Sequence, residues 1–199
     1  MENKFIITIG RQLGSGGRII GENIARELGI AFYDKELILR SSKESGLTKS
    51  FFEKVDEQLN PMLTGGLLSD FYQDVFFSNE SLFKIQSDVI HEIATQESAV
   101  IVGRCSDYVL REHPRCVNIF VCAEMEDRIK MVSEYHQMTN EKAKSLINKI
   151  DKKRSSFYHY FSNKDWGVAS SYDLCVNSST LGLEKTTDFV LDFVRRKFE

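Results

Sequence analysis

The most constraining feature of the sequence is a strand, a glycine-rich turn and a helix that follow one another near its start. Residues 5–9 are apolar and largely β-branched, which is typical of a strand buried on both faces of a parallel sheet. Four glycines follow, at positions 10, 14, 16 and 17. Apolar residues then recur at helical spacing from Ile19 to Leu28, and Gly29 stands where a helix C-cap belongs. This order predicts the first unit of an α/β fold.

Four further apolar runs predict strands, and each is followed by a helical pattern. They lie at residues 30–33, 98–103, 116–121 and 172–177. Five short strands that alternate with helices predict an α/β three-layer sandwich with a five-stranded parallel sheet, because right-handed crossovers join such elements. Ligands of this architecture bind beyond the carboxyl ends of the strands. Gly10, Asp34, Gly103 with Arg104, and Ala123 are predicted to lie at these ends.

The 199 residues fit a single domain with one large core, and we expect the whole chain to form it. Residues 43–97 differ from the rest because they contain helical patterns without a convincing strand, which predicts an α-helical insertion. Its last part, residues 80–96, carries apolar residues on one face. We expect this helix to return the chain to the sheet.

Charge and composition exclude several classes of protein. A formal net charge of -3 and a pI near 5.9 provide no general attraction to a phosphate backbone, so a nucleic-acid polymer is not an expected partner. The first apolar run is too short for a signal peptide or a membrane span, so we expect a cytoplasmic protein without a membrane partner. The four cysteines show no CxxC spacing, which argues against a zinc site or a disulfide framework.

The glycine-rich turn, residues 10–18, is predicted to bind phosphate. Glycine allows positive φ angles and close approach, and the following helix N-terminus adds a dipole that favours an anion. A tight turn without a ligand is the alternative. The turn departs from the usual P-loop pattern, because Gly17 stands at the lysine position and Ile19 near the position of the Mg²⁺-binding hydroxyl. Arg18 is therefore the candidate cation, with a solvated side chain as its alternative, and Ser15 is the nearest hydroxyl.

Several short motifs occur in the order and context seen in cytidylate-kinase-like proteins, a family of P-loop nucleoside and nucleotide kinases. They are Gly14-Ser15-Gly16, Tyr33-Asp34, Val102-Gly103-Arg104 and Asp151-Lys152-Lys153-Arg154. The chain resembles this family over most of its length, and least over residues 46–80. The resemblance implies a P-loop kinase that uses ATP and Mg²⁺, an acceptor-binding insertion at about 43–97 and a helical lid at about 137–168. It also implies phosphoryl transfer to a nucleoside monophosphate, with CMP or a similar nucleotide as acceptor.

The resemblance also assigns roles to single residues. The donor phosphates would be bound by Gly14, Ser15, Gly16, Gly17 and Arg18. Arg104 would bind the acceptor, since the family has an arginine in this role after the third strand. A planar guanidinium at a strand end suits bidentate phosphate binding. The alternative for Arg104 is a salt bridge to Asp34 or Asp107.

Acidic residues and the lid complete the predicted site. Arg154 and Asp151 match the Asp-x-x-Arg segment of the family's lid, where Arg154 would neutralise charge in the transition state and Asp151 would orient it beside the substrate. Asp34 is the candidate for holding metal, water or a substrate hydroxyl, and a plain helix N-cap is its alternative. Asp34 and Ser15 are thus the predicted Mg²⁺ ligands. Arg18, Arg154 and Asp34 form the predicted catalytic set.

Three functions stay open at this stage. The first is a kinase of a CMP-like acceptor, the second a kinase of another small molecule, and the third a catalytically weak or inactive nucleotide-binding regulatory module. The absence of the P-loop lysine at Gly17 bears on catalysis more than on fold. Nucleotides are the expected small-molecule partners in the first and third cases.

Aromatic residues in the insertion point to an interface. Phe71, Tyr72, Phe76 and Phe77 lie close together, and exposed apolar patches of this kind usually mark an interaction surface. We expect a homodimer, or else a mobile acceptor-binding lobe that packs these rings internally.

Overall fold

The computed structural model describes residues 4–34 and 80–198. Its sheet has five strands, all paired in parallel, in the order β2-β3-β1-β4-β5. The strands are β1 (Ile6–Arg11), β2 (Ala31–Tyr33), β3 (Ala99–Val102), β4 (Cys116–Cys122) and β5 (Leu174–Asn177). The predicted parallel sheet is confirmed. The first strand runs beyond its predicted end, because Gly10 and Arg11 continue the pairing with β4.

Helices connect the strands and cover both faces of the sheet. Counted among the described residues, they are α1 (Gly17–Leu28), α2 (Glu80–Gln96), α3 (Ser106–Val109), α4 (Met125–His136), α5 (Asn140–Ser162) and α6 (Ser178–Phe198). Gly182 has non-helical backbone angles and kinks α6 near its start. The predicted C-cap of α1 is observed. Gly29 has left-handed backbone angles, and its N–H donates to the carbonyl oxygens of Ala25 and Arg26.

Each face of the sheet buries its own apolar cluster. Strand residues such as Ile7 and Ile9 of β1 pack against Ile20 and Ile24 of α1, and α6 adds to the same cluster. On the opposite face, Ile6 and residues of β3 pack against α2 and α3. Successive strand residues therefore serve opposite layers, as strand geometry requires. The result is the predicted three-layer α/β sandwich.

Helices α4 and α5 form a pair beside the carboxyl ends of the strands. Val132 of α4 packs against Ala143 and Ile147 of α5, and Leu13 of the glycine-rich turn joins this cluster. Further along α5, Phe157 and Tyr158 pack against Cys105, which follows β3. The segment predicted as a lid at about 137–168 thus contains α5, whose two halves contact the turn and the end of β3.

The middle of the chain is described only in part. The helix predicted at residues 80–96 is observed as α2, and it returns the chain to β3. The remainder of the predicted insertion lies outside the described residues, and so do the four aromatics Phe71, Tyr72, Phe76 and Phe77. Within residues 4–34 and 80–198, no helix combines the length and the apolar character that a bilayer crossing requires.

Candidate functional site

The glycine-rich turn joins the end of β1 to the start of α1. Gly14 and Gly16 have φ angles of 79° and 73°, which favour glycine, and Gly16 is the N-cap of α1 without a side-chain cap. A Cβ atom at Gly14 would lie 2.7 Å from the carbonyl oxygen of Arg128, so α4 approaches the turn too closely for a side chain. An uncapped helix N-terminus beside glycine backbone has the geometry that binds anions.

Side-chain hydrogen bonds fix the conformation of this turn and connect it to the end of β4. The Ser15 hydroxyl donates to the carbonyl oxygen of Gln12 at 2.9 Å, while the Ser178 hydroxyl donates to the carbonyl oxygen of Ser15 at 2.8 Å. The side-chain oxygen of Gln12 accepts from the backbone N–H of Ala123 at 3.2 Å, which ties the turn to the end of β4. The Ser15 side chain is buried and its hydrogen is used inside the turn. Its role as a Mg²⁺ ligand stays a prediction.

A buried ion pair connects the turn to helices α4 and α5. The backbone N–H of Leu13 donates to Asp151 Oδ1 at 2.9 Å, and Arg128 Nε donates to the Leu13 carbonyl oxygen at 2.7 Å. Arg128 and Asp151 also pair directly with each other. The Arg128 side chain is 5% exposed. Sequence reasoning placed Arg128 only among the basic residues available to a lid over the phosphates, and it did not predict this buried pair; a charged residue on the apolar side of a predicted helix was the signal.

Arg154 reaches the turn from the same helix as Asp151. Its Nη1 donates to the carbonyl oxygen of Arg11 at 3.0 Å and lies 3.7 Å from Asp151 Oδ1. Burial lowers the pKa of Arg154, Asp151 opposes this shift and Arg128 adds to it. The predicted lid arginine is therefore beside the predicted phosphate-binding turn, with one carboxylate shared between two guanidinium groups.

Arg104 lies at the end of β3 on a strained backbone. Gly103, Arg104 and Cys105 have consecutive positive φ angles of 80°, 62° and 51°. Arg104 Nη1 donates to the side-chain oxygen of Gln86 at 3.3 Å, and its guanidinium lies over the ring of Phe157. Burial, opposed by Cys105 and assisted by the nearby charge of Arg154, lowers the pKa of Arg104 to about 10. Backbone strain of this kind concentrates at ligand-binding positions.

Asp107 and Asp34, the two carboxylates considered as salt-bridge partners of Arg104, bond to other residues. Asp107 accepts a hydrogen bond from the Tyr158 hydroxyl at 2.6 Å. Asp34, which is 8% exposed at the end of β2, accepts from Arg18 Nε at 2.9 Å. Arg104 is thus bonded to an amide, and its charge is left for another counter-ion.

Arg18, at the end of the turn, pairs with Asp34. Arg18 also pairs with Glu22 at 3.1 Å, and its side chain is 57% exposed on the outer side of α1. Its guanidinium lies over the ring of Phe32. The structure thus places the Arg18 guanidinium beside two carboxylates, so its predicted contact with donor phosphates competes with these two ion pairs.

Arg11, which sequence reasoning left unassigned, adds a third guanidinium to the site. Burial lowers its pKa well below the ordinary value, and the charges of Arg154 and Arg104 act in the same direction. Asp34 and Asp151 oppose the shift. The strand pattern offered a signal, because Arg11 shares its face of β1 with Ile7 and Ile9, which α1 covers.

The described acidic residues are sparse around this cluster. Among residues 4–34 and 80–198, no group of three or more His, Cys, Asp or Glu side chains could enclose a metal ion. Mg²⁺ in phosphoryl-transfer sites is held by one or two protein oxygens together with substrate phosphates and water. Asp34 at the end of β2 could supply one such protein oxygen. The arginines nearby could neutralise the phosphate oxygens that supply the rest.

Comparison with known proteins finds similarity to kinases over nearly the whole chain. A sequence profile of the Cytidylate kinase-like family matches residues 6–180. A relative, the cytidylate kinase of Methanobrevibacter smithii, is 23% identical over 188 residues, which are 94% of this chain and 96% of the relative. The match includes the turn, the ends of β2 and β3, and α5.

Solved structures share the fold. A crystal structure of an uncharacterized protein from Eubacterium ventriosum has a TM-score of 0.74 at 23% identity, and covers 96% of this chain and 99% of that chain. Shikimate kinase from Bacteroides thetaiotaomicron has a TM-score of 0.56 at 12% identity, covering 96% and 98% of the two chains. A gluconokinase from Sinorhizobium meliloti has a TM-score of 0.55 at 12% identity, covering 98% and 95%.

Fold and family agree with the geometry of the site. Arginines gather beside a glycine-rich turn at the carboxyl ends of parallel strands, where α/β proteins bind ligands. The structural neighbours named above as kinases have this sheet and act on different acceptors, so the fold is compatible with several small molecules. The family and the fold together support a nucleotide-binding transferase of the small-molecule kinase type. With a profile match over residues 6–180, the chain belongs to the cytidylate kinase-like family.

Proposed function

We propose that this protein transfers the γ-phosphoryl group of ATP to a nucleoside monophosphate, with CMP as the first acceptor to test. The observation that carries the proposal is the position of Arg154 at the glycine-rich turn, close enough to Arg104 at the end of β3 for their charges to interact. Arg154 bonds to the carbonyl oxygen of Arg11, and its charge lowers the pKa of Arg104. Phosphoryl transfer needs little more from a protein than positioning and neutralisation of phosphate oxygens.

Each part of the site has a role in this proposal. The backbone of residues 14–17 binds the donor phosphates at the N-terminus of α1. Arg104 binds the acceptor phosphate in place of its present bond to Gln86. Arg154 stabilises charge on the transferring group, and Asp151 orients it. Mg²⁺, when bound, offsets the charge of the donor phosphates, and Asp34 and Ser15 are the side chains that would hold it.

A second function, a regulatory module that binds nucleotides without turnover, is favoured by Gly17. A P-loop kinase has lysine at this position, and loss of a preorganised cation lowers turnover strongly. In this case the contacts of α5 with the turn would report ligand occupancy to a partner. A kinase of another acceptor is the third candidate, because the insertion that would select the acceptor resembles the family least.

The experiment measures acceptor-dependent ADP formation. Purified protein, ATP and Mg²⁺ are incubated with CMP, UMP, dCMP, AMP or GMP, and with shikimate or gluconate, and products are identified by mass spectrometry. We expect ADP and the nucleoside diphosphate in equal amounts with at least one pyrimidine monophosphate. The Arg104→Gln variant should lose most of this turnover. Arg111→Gln, which changes an exposed arginine near the same strand, is the matched control.

Three outcomes separate the candidates. Turnover with shikimate, gluconate or another non-nucleotide acceptor alone would replace the acceptor class. ATP binding in calorimetry without turnover of any acceptor would favour the regulatory module. Absence of both binding and turnover would contradict nucleotide chemistry at this site altogether.

A further inference from the structure

The space of the missing P-loop lysine is filled by the side chain of Arg11. Gly17 is the first residue of α1 and is buried. A Cβ atom at Gly17 would lie 2.6 Å from Cβ and 3.2 Å from Cγ of Arg11. Both are the near part of the side chain and cannot swing aside like a flexible end. In this backbone any side chain at residue 17 collides with any side chain at residue 11, so a lysine at 17 requires a glycine at 11.

A second glycine makes room for the other end of Arg11. A Cβ atom at Gly103 would lie 2.1 Å from Nη1 and 3.0 Å from Cζ of Arg11. The side chain thus passes over the start of α1 and ends above the carboxyl end of β3, next to the residue that precedes Arg104. Its guanidinium lies beside Gly103 and is close enough to Arg104 and Arg154 for their charges to act on it.

The electrostatic surroundings of Arg11 favour an anionic ligand. In residues 4–34 and 80–198, its guanidinium has neither a hydrogen-bond acceptor nor an ion-pair partner, whereas Arg18, Arg128 and Arg154 all have carboxylate partners. Burial disfavours the charge of Arg11 most, Arg154 and Arg104 repel it, and Asp34 and Asp151 attract it without pairing with it directly. The Arg11 side chain is partly exposed, and a partly desolvated cation with no directly bonded carboxylate among the described residues is disfavoured. A phosphate group between these arginines would remove that cost.

We propose that Arg11 is the cation that replaces the P-loop lysine, and that it binds the phosphate groups held over residues 14–17. The inference rests on the proposed function and names the residue that makes it workable without a lysine. Arginine offers a planar fork where lysine offers a point charge, so it can contact oxygens of two phosphate groups at once. Its route from Gly17 to Gly103 points the fork at the junction of donor and acceptor.

The test exchanges the two residues. The variants are Arg11→Met, which keeps the apolar stem, Arg11→Gly, Gly17→Lys, and the double variant Arg11→Gly/Gly17→Lys. Arg26→Met, an exposed arginine of α1 with no part in the site, is the control. Calorimetry measures the Kd for ATP and ADP, and thermal unfolding of the ligand-free proteins measures stability.

We expect Arg11→Met to bind ATP about 10- to 100-fold more weakly, the loss typical of a charged hydrogen bond. Its ligand-free melting temperature should not fall, because a repelled cation has been removed. Gly17→Lys alone should lose affinity, since the new side chain collides with Arg11. The double variant should recover at least tenfold of the loss in Arg11→Gly, with Val121 Cβ, at 3.2 Å from the new Cβ, shifting slightly.

Two results would overturn the inference while leaving the proposed function intact. The first is ATP affinity in Arg11→Met within twofold of the parent protein and Arg26→Met. The second is a double variant that binds ATP no better than Arg11→Gly, or a melting temperature that falls in Arg11→Met without any change in affinity. If the parent protein itself binds no ATP, the proposed function fails, and this inference fails with it.

Discussion

Asp151 in the middle of α5 accepts a hydrogen bond from the backbone N–H of Leu13 at 2.9 Å. The bond fixes the predicted lid helix to the glycine-rich turn through a side chain that also pairs with the buried Arg128 and lies 3.7 Å from Arg154. One carboxylate thus orders the turn and balances neighbouring positive charge. Removing this carboxylate should lower both the stability of the protein and its affinity for phosphate.

Replacing Asp151 by alanine should lower the free energy of unfolding by about 3 kcal/mol. The reason is that Arg128 would stay buried without its carboxylate, and removal of one partner of a buried pair costs this much. Urea denaturation provides the measurement. Asp192→Ala is the control, since Asp192 pairs with Arg196 at the surface and such pairs contribute at most about 1 kcal/mol. Equal effects of the two variants would refute the structural role of Asp151.

Gly14→Ala should destabilise the protein more than Gly29→Ala. Both glycines have positive φ angles, which cost an alanine about 1–2 kcal/mol. At Gly29 no atom lies within 4 Å of the added methyl group, whereas at Gly14 it would approach the Arg128 carbonyl oxygen to 2.7 Å. We expect a difference of about 1–3 kcal/mol in urea unfolding, the usual cost of overpacking. Similar losses of unfolding free energy in the two variants would mean that α4 can shift away from the turn at little cost.

Arg104→Ala should weaken acceptor binding by about 1.5–3 kcal/mol and leave ATP affinity nearly unchanged. The side chain lies at the end of β3, and its described hydrogen bond is to the neutral amide of Gln86, so its charge is available to an anion. Calorimetry with the acceptor identified by the turnover screen measures the effect. Arg111→Ala serves as the control at a half-exposed position. An unchanged acceptor affinity would remove Arg104 from the site.

The Asp107–Tyr158 contact predicts a pH dependence of stability. Burial raises the pKa of Asp107 above its ordinary value of 3.8, and the hydrogen bond from Tyr158 offsets this only in part. The native state therefore keeps the proton at a pH where the unfolded chain has released it. Stability from this group is fully present below the ordinary pKa and is lost as the pH rises through the raised value.

The measurement compares the parent protein with Asp107→Asn at about pH 4 and about pH 7. The asparagine cannot ionise, so the parent protein should lose stability relative to the variant between these two values. Asp192→Asn, at an exposed position of α6, should follow the parent protein at both. A difference between parent and Asp107→Asn that does not change with pH would contradict the raised pKa.

The fold was predictable because strand and helix periods are local. The apolar run at 5–9 fits a strand covered on both faces, and Gly29 ends α1 by the backbone bonds expected of a C-cap. Boundaries were less predictable, since β1 extends to Arg11 through pairing with Phe120 and Val121, which lie far away in sequence. Tertiary pairing, and not local preference, sets where that strand ends.

The general position of the site was predictable from the sequence, but the ion-pair partners of its arginines were not. Glycines after the first strand and arginines at later strand ends are readable from the chain, but ion-pair partners depend on helix packing. Arg18 follows the turn directly and yet lies beside Asp34, because the rotation of α1 turns it outward. Arg11 precedes the turn and is aimed across it, since it continues the face of Ile7 and Ile9.

The three positive φ angles at Gly103, Arg104 and Cys105 have a consequence for laboratory evolution. Left-handed backbone costs arginine or cysteine about 1–2 kcal/mol, and glycine relieves that cost. A library of this gene sorted only for abundance should therefore enrich glycine at 104, where no core packing is lost, and those clones should bind the acceptor more weakly; Cys105, which is buried in the core, should be retained. Sorting alternately for abundance and for turnover should keep Arg104, and deep sequencing of the two pools would show the divergence at this codon.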